Sequence, residues 1–406
     1  MKSFGKSLRF ILIAGLAGLT AGLALQADAK PLKVFILVGQ SNMQGHVNVS
    51  TFDSLADDPR TAPLLREMRQ ADGTPRRCPK VWITSIGSAG DDPAAEQKGQ
   101  LTAGFGASPE EIGPEFTFGI YLEQMLGEPI LIIKTAWGGK DLHTDFRPPG
   151  AGAFVWSEFE YGRRKRSGDN MEKDQAEKIK ATGVAYRLMI GHVRKVLADI
   201  RRVVPDYDPA QGFELAGFVW FQGFNDLVST WTYEKGDQPG GYDMYSQLLA
   251  QFIRDVRHDL SAPKLPFIIG VMGIGGVKED EKPDRQKYFR QAQVAPTLLP
   301  EFQGNVVAVR TAPFWDNDLD ALQQRMEQFN DRMDQAAKKN PAPTPAAAEA
   351  AREKALKESF TPAELKRLQS VSNGGYHYLG AAKIMAPIGK AFAEAAAGFV
   401  NPLEHQ

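Results

Sequence analysis

Five short runs of almost uninterrupted apolar residues punctuate the chain, at 33–38, 129–134, 216–221, 266–272 and 305–311. None alternates apolar with polar positions, as a strand with one wet face does. Continuous runs of this length suit strands covered on both faces, as in a parallel sheet. Longer stretches between them, notably 181–203 and 242–260, repeat apolar residues every three or four positions, the period of an amphipathic helix. Strand, helix and strand in repetition predict an α/β domain on a doubly wound, mostly parallel five-stranded sheet.

Two segments leave this plan. Residues 150–180 are polar and charged, with the basic run Arg163-Arg164-Lys165-Arg166, and read as a surface excursion. Residues 318–368 are rich in Ala, Glu, Lys, Gln and Arg and are broken by Pro341-Ala342-Pro343-Thr344-Pro345. That pattern predicts a helix, a proline break and a second helix, inserted into the domain and standing off it.

The first 29 residues read as a leader. Lys2, Lys6 and Arg9 precede an apolar stretch from 10 to 25, and Ala27-Asp28-Ala29 has the small-x-small form of a signal cleavage site. The expected mature domain is 30–406, exported to the periplasm or beyond, with no stable membrane insertion after cleavage. Net charge is -1, which argues against a nucleic-acid partner. The one cysteine, Cys78, excludes an intramolecular disulfide and cysteine-based zinc sites.

Ligands of an open parallel sheet bind outside the carboxyl ends of its strands. Three of the apolar runs end in glycine-containing turns with hydrogen-bonding groups: Gly39-Gln40-Ser41-Asn42-Met43, Thr135-Ala136-Trp137-Gly138-Gly139-Lys140, and Trp220-Phe221-Gln222-Gly223-Phe224-Asn225-Asp226. Acyl transfer needs a nucleophile and donors aimed at the oxygen that becomes negative. Ser41 fits the first role. Its own N–H, a glycine N–H from Gly138-Gly139 and the Gln222 amide fit the second. Gln40, Asn42, Trp137, Gly138, Phe224, Asn225 and Asp226 are candidate substrate contacts, and Trp137, Phe224, Trp231 and Trp315 are candidate sugar-stacking rings.

Six histidines are available as the base. His405 is in the tail, and His192 and His258 lie in helical patterns. His46 is close enough to Ser41 to line the mouth, and His143 follows the Gly-Gly turn. His377, in Ser372-Asn373-Gly374-Gly375-Tyr376-His377-Tyr378-Leu379-Gly380 before the last helix, is placed to reach back to a strand-end serine.

Gly39-Gln40-Ser41-Asn42-Met43 resembles the first block of the SGNH/GDSL hydrolases, in the variant of sialate O-acetylesterases and family-six carbohydrate (acetylxylan) esterases. Residues 134–142 resemble the second block, and Trp220-Phe221-Gln222-Gly223 the Trp-x-Gln-Gly-Glu block. The resemblance implies a flavodoxin-like fold, Ser41 as nucleophile, Gly139 and Gln222 as oxyanion donors, His377 as base and an acetylated carbohydrate as substrate. It calls for no cofactor and no metal, since serine, histidine and oxyanion donors suffice. Two positions depart from the pattern. Phe224 replaces the glutamate after Gln-Gly, and Gly374 replaces the aspartate three residues before the histidine. Asn373, Asp226 and Asp316 are the candidates for orienting His377. The same departures motivate an alternative, a carbohydrate-binding protein that kept the pocket and lost catalysis. The glycines at Gly273-Ile274-Gly275-Gly276 are only a partial nucleotide fingerprint and read as a turn.

Overall fold

A chain whose central strand is apolar on both faces needs a layer of helices on each side. The computed structural model, which describes residues 30–87, 92, 94–340 and 344–400, shows that arrangement. The leader at 1–29, the residues 341–343 of the proline break and His405 lie outside the described residues. In chain order the strands are β1 (Leu32–Gly39), β2 (Val47–Asn48), β3 (Val81–Ile86), β4 (Glu96–Gln100), β5 (Glu111–Ile112), β6 (Ile130–Ala136), β7 (Phe213–Phe221), β8 (Phe267–Val271) and β9 (Val306–Arg310). β2 and β5 form a small antiparallel ribbon. The others form one sheet in the spatial order β4-β3-β6-β1-β7-β8-β9, parallel except for β4 against β3.

Along β1, Val34, Ile36 and Val38 enter one core and Phe35 and Leu37 the other, which is why the strand reads as an unbroken apolar run. The first core is covered by helices Val184–Ala198, Asp243–Asp259 and Arg285–Val294, the second by Glu115–Leu126 and the C-terminal Ala382–Val400. Residues from Pro31 onward form one compact unit. No helix among the described residues is long and apolar enough to cross a membrane.

The sheet has seven strands rather than the expected five. β3 mixes Thr84 and Ser85 into its apolar residues, which hides its period. β4, Glu-Gln-Lys-Gly-Gln, has no apolar residue at all. It is a strand because it pairs with β3, and its polar composition blunts an exposed edge.

The helical expectations also need adjusting. The stretch 181–203 is interrupted by Gly183 at φ 67°, so its helix starts at Val184. The excursion folds into helices Glu158–Ser167 and Met171–Ala181, and it buries Phe154, Trp156 and Glu160, so it is not wholly surface. The insertion holds three helices, Asn317–Lys339, Pro345–Ser359 and Pro362–Leu368, rather than two. Leu322, Phe329 and Phe360 give it a small core of its own.

One polar feature lies within the second core. Lys134 on β6 and Glu115 are both fully buried and meet at 2.7 Å. The three ammonium hydrogens are accounted for, because Nζ also donates to the carbonyls of Gln44 (2.8 Å) and Phe105 (2.7 Å). Burial pushes the Lys134 pKa down and the Glu115 pKa up, and each charge opposes the shift of the other. Removing one partner leaves the other buried and uncompensated. Lys134→Met is expected to cost about 3–5 kcal/mol in urea unfolding, and adding Glu115→Leu to recover a good part of it. Additive losses from the two changes would show that the pair is not the unit that matters.

Candidate functional site

Register puts the three strand ends at one level, with Gly39 of β1 opposite Ala136 of β6 and Phe221 of β7. The backbones crowd there. A Cβ on Gly39 would lie 2.1 Å from the Phe221 carbonyl oxygen, so only glycine lets β1 close against β7 at this point. The chain then turns into a single helical turn, Ser41–Gln44, with Ser41 at its start and 8% exposed. Two contacts hold this turn. Gln44 donates from Nε2 to the Gly87 carbonyl (2.8 Å), and the buried Lys134 ammonium holds the Gln44 carbonyl.

The second and third loops are joined through Asp226. This fully buried carboxylate accepts from the backbone N–H of Leu142 (2.9 Å) and His143 (3.3 Å), from Gln222 Nε2 (2.6 Å) and from the Tyr233 hydroxyl (3.0 Å). Burial, and after it the nearby Asp141 charge, raise its pKa to about 7, while the donors Leu142, Gln222 and Tyr233 oppose the rise. Gln40 joins the first loop to the third. Its Oε1 accepts from the N–H of Gly223 (3.1 Å) and Asn225 (3.3 Å), and its Nε2 donates to Asn225 Oδ1 (2.7 Å).

His377 enters from the far end of the chain. Its turn packs against the Ser41–Gln44 helix. Tyr378 and Leu379 sit at φ 54° and 60°, a left-handed conformation that costs non-glycine residues energy. Tyr378 holds it in place. Its buried hydroxyl lies 2.8 Å from Thr311 Oγ1 and accepts from the Gly273 N–H at 2.9 Å.

Of the three candidates for orienting His377, Asn373 is the one in contact with it, its Oδ1 lying 2.9 Å from His377 Nδ1. The same oxygen accepts from the Gly374 N–H (2.8 Å), so Nδ1 carries the proton and Nε2 is left with its lone pair. Asp226 is occupied in its own loops. Asp316 pairs with Arg367 (2.8 Å) and Lys383 (2.6 Å) and caps the helix that begins at Asn317. A side chain at Gly374 would meet the Tyr376 ring at 2.6 Å. Desolvation, and then the neighbouring His46, lower the His377 pKa to about 4.

Several expected substrate contacts turn out to be internal. Gln40 is 1% exposed, and Trp137 is buried against Phe146 in the first core. Trp315 is also buried, beside Tyr378. Asn42 faces a cavity of about 10 Å³ between Gln40, Phe221, Gln222, Gly223, Gly270 and Met272, where its Oδ1 has no hydrogen-bond partner. The Gln222 amide nitrogen has three acceptors inside the protein, Asp226, Lys140 O (3.1 Å) and Gln40 Oε1 (3.2 Å). Trp231 lies under the Arg163 guanidinium at 4.0 Å. His143 is buried, and burial with the Arg147 and Lys178 charges lowers its pKa to about 3. Gly138 and Gly139 are exposed, and Phe224 and Asn225 half-buried, at the loop ends. The Gly273–Gly276 segment is a turn closed by the Gly276 N–H on the Gly273 carbonyl (2.9 Å).

Sequence reasoning did not reach Tyr233, Tyr245 and Gln293, which line the back of the third loop. Tyr245 lies 3.3 Å from Gln222 Oε1, and Gln293 donates to the Gln222 carbonyl (3.1 Å). Nothing in their local sequence separates them from ordinary helix or loop residues.

The Ser41 turn, the loops after β6 and β7 and the His377 turn thus lie together at one end of the α/β sheet. The comparison with family models then fixes the family. Residues 31–312 match the model described as carbohydrate esterase, sialic acid-specific acetylesterase, and the chain belongs to that family of carbohydrate acetylesterases. A search of curated proteins finds no match. Similar solved structures include a protein from Arabidopsis thaliana, at 18% identity and TM-score 0.38, over 69% of this chain and 86% of the other. A carbohydrate acetylesterase from Xanthomonas citri is similar at 18% identity and TM-score 0.38, over 70% and 50%. NanS is similar at 14% identity and TM-score 0.38, over 70% and 78%.

Replacing the acceptor at the centre of these loops tests the network. Asp226→Asn points an amide N–H₂ at groups that are themselves donors and is expected to cost about 1–3 kcal/mol near pH 4 to 5. The sign with pH differs between the two proteins. A buried acid raised from 3.8 to about 7 binds its proton more tightly when folded, so wild-type stability falls as pH rises through that window. The variant should lack that decline. Urea midpoints across pH 4 to 8 check both, and parallel curves would contradict the assignment.

Proposed function

We propose that the protein is an exported carbohydrate O-acetylesterase that works through an acetyl-serine intermediate, with residues 1–29 as its leader and 30–406 as the catalytic domain. The observation that carries the mechanism is the Asn373–His377 contact. It presents an unprotonated Nε2 from a turn packed on the helix that begins with Ser41.

His377 Nε2 takes the proton of Ser41 Oγ as that oxygen attacks the acetyl carbonyl carbon. The carbonyl oxygen becomes negative and is met by the N–H groups of Ser41 and Gly139, neither of which donates to another acceptor among the described residues. Gln222 joins them by exchanging the Lys140 carbonyl for the oxyanion. The C–O bond to the sugar breaks, and the imidazolium returns its proton to the departing sugar oxygen. Water, activated by the same nitrogen, then releases acetate from Ser41.

The substrate rim is formed by Phe224 and Tyr376, whose rings lie 6.2 Å apart, with Tyr376 51% exposed. Such a pair offers flat apolar surface to a sugar ring, and Asn225 offers an amide beside it. The absent aspartate at Gly374 and the absent glutamate at Phe224 were the reasons to consider a binding protein without catalysis. Asn373 supplies an acceptor for His377 in place of the first, which favours the enzyme reading.

Two measurements test the mechanism. Ser41→Ala should lower kcat on an aryl acetate by at least about 10³-fold while leaving the fold intact. A serine-directed phosphonate should label Ser41 in the wild type, and a label on another serine would reject the assignment. The base also predicts a pH profile. Because His377 is held near 4, kcat/KM should be flat through neutrality and fall only as pH drops towards about 4 and the ring protonates. An acidic limb near the unperturbed value of 6.5 would exclude the buried, neutral His377 as the base.

A further inference from the structure

The imidazole of His46 lies flat on that of His377, with ring centroids 4.0 Å apart and planes 5° from parallel. We propose that His46 is the positioning residue that takes over from the missing carboxylate, fixing the plane of the His377 ring. This rests on the reading of Ser41 as nucleophile and His377 as base.

A single hydrogen bond from Nδ1 to Asn373 sets which nitrogen faces the serine, but it leaves the ring free to tilt about that bond. The stack removes the tilt. Tyr376 closes a further side, edge-on at 4.5 Å. Both partners are held by backbone. Gly45, at φ 94° and with room for no side chain against Gly113, turns the chain directly after the Ser41 helix and so aims His46. Ser372 ties the two segments together, since its hydroxyl accepts from the Asn48 N–H (3.1 Å) and donates to the Gly380 carbonyl (2.8 Å).

Charge completes the argument. The imidazolium formed when His377 takes the Ser41 proton lies against the face of a neutral His46. A protonated His46 would repel it, so the pair admits one charge at a time. The charged groups acting on His46 are Glu111 from β5, which favours its protonation, and Lys134 from β6, which opposes it. Burial outweighs both and lowers its pKa. His377 faces His46, Tyr376 and Asn373, with burial the main influence on it. At neutral pH the resting pair is therefore uncharged and ready for one proton.

Two variants and two readouts test this. His46→Ala should lower kcat roughly 10-fold through loss of ring positioning, with KM changed less than about 2-fold, and, by removing the neighbour that opposes its charge, should raise the pH at which His377 titrates by about half a unit or more. His46→Phe restores a flat uncharged ring and should recover most of the lost kcat. NMR titration of the His377 ring needs no turnover and so separates this inference from the esterase reading. A shifted titration in a wild-type background that hydrolyses no acetyl ester would count against the esterase reading and for the ring pair. A His46→Ala protein with wild-type kcat and His377 titration would overturn the proposal, as would a His46→Phe protein no better than His46→Ala.

Discussion

The carboxylate of Asp226 is fully buried, and an isolated charge there would be expensive. Its four donors come from two different loops, so the cost of burial is reduced only when both loops stand in their native positions. That makes a local electrostatic requirement into a geometric one. The segment after β6 cannot drift from the segment after β7 without stranding the charge, and Gln222 is fixed by the same oxygen that holds Leu142. Gln40 extends the constraint to the loop after β1. Three loops that would otherwise be separate surface turns become one body, and the Ser41 turn and the glycine amides of Gly138 and Gly139 are carried on it.

The histidine side is organised on a different principle. The turn that presents His377 contains two consecutive left-handed residues, and its conformation persists because Tyr378 is bonded at its hydroxyl and packed among Phe221, Trp315 and the C-terminal helix. The familiar negative partner is absent. A neutral amide holds Nδ1, and the ring lies in a half-buried stack that keeps it unprotonated at neutral pH. An imidazole held this way stays unprotonated over a wide pH range.

Beneath both, the Lys134–Glu115 pair couples the site to the second core. Lys134 leaves β6 one residue before Thr135 and reaches under the Ser41 helix to its last carbonyl. This buried ion pair thus lies directly beneath the Ser41 turn, within a core that is otherwise built mainly of apolar side chains.

The sequence alone determined the class of fold and the ends of the strands that matter. Its apolar runs follow from burial on both faces, and burial of that kind depends on composition rather than on partners. The loops after β1, β6 and β7 and the histidine before the last helix were legible for the same reason, since glycines and polar residues that follow an apolar strand have few other uses. Tertiary structure decided everything that depends on pairing across the chain. The polar strand β4 exists only through β3. Trp137 and Gln40 have the residue types of a binding site, yet packing turns them inward. Asn373 rather than Asp226 or Asp316 reaches His377, because those acids are committed to donors far from it in sequence. The stack of His46 on His377 is visible in neither local pattern. It arises because the turn at Gly45 and the loop from Ser372 to Gly380, more than three hundred residues apart, are brought together by the sheet between them.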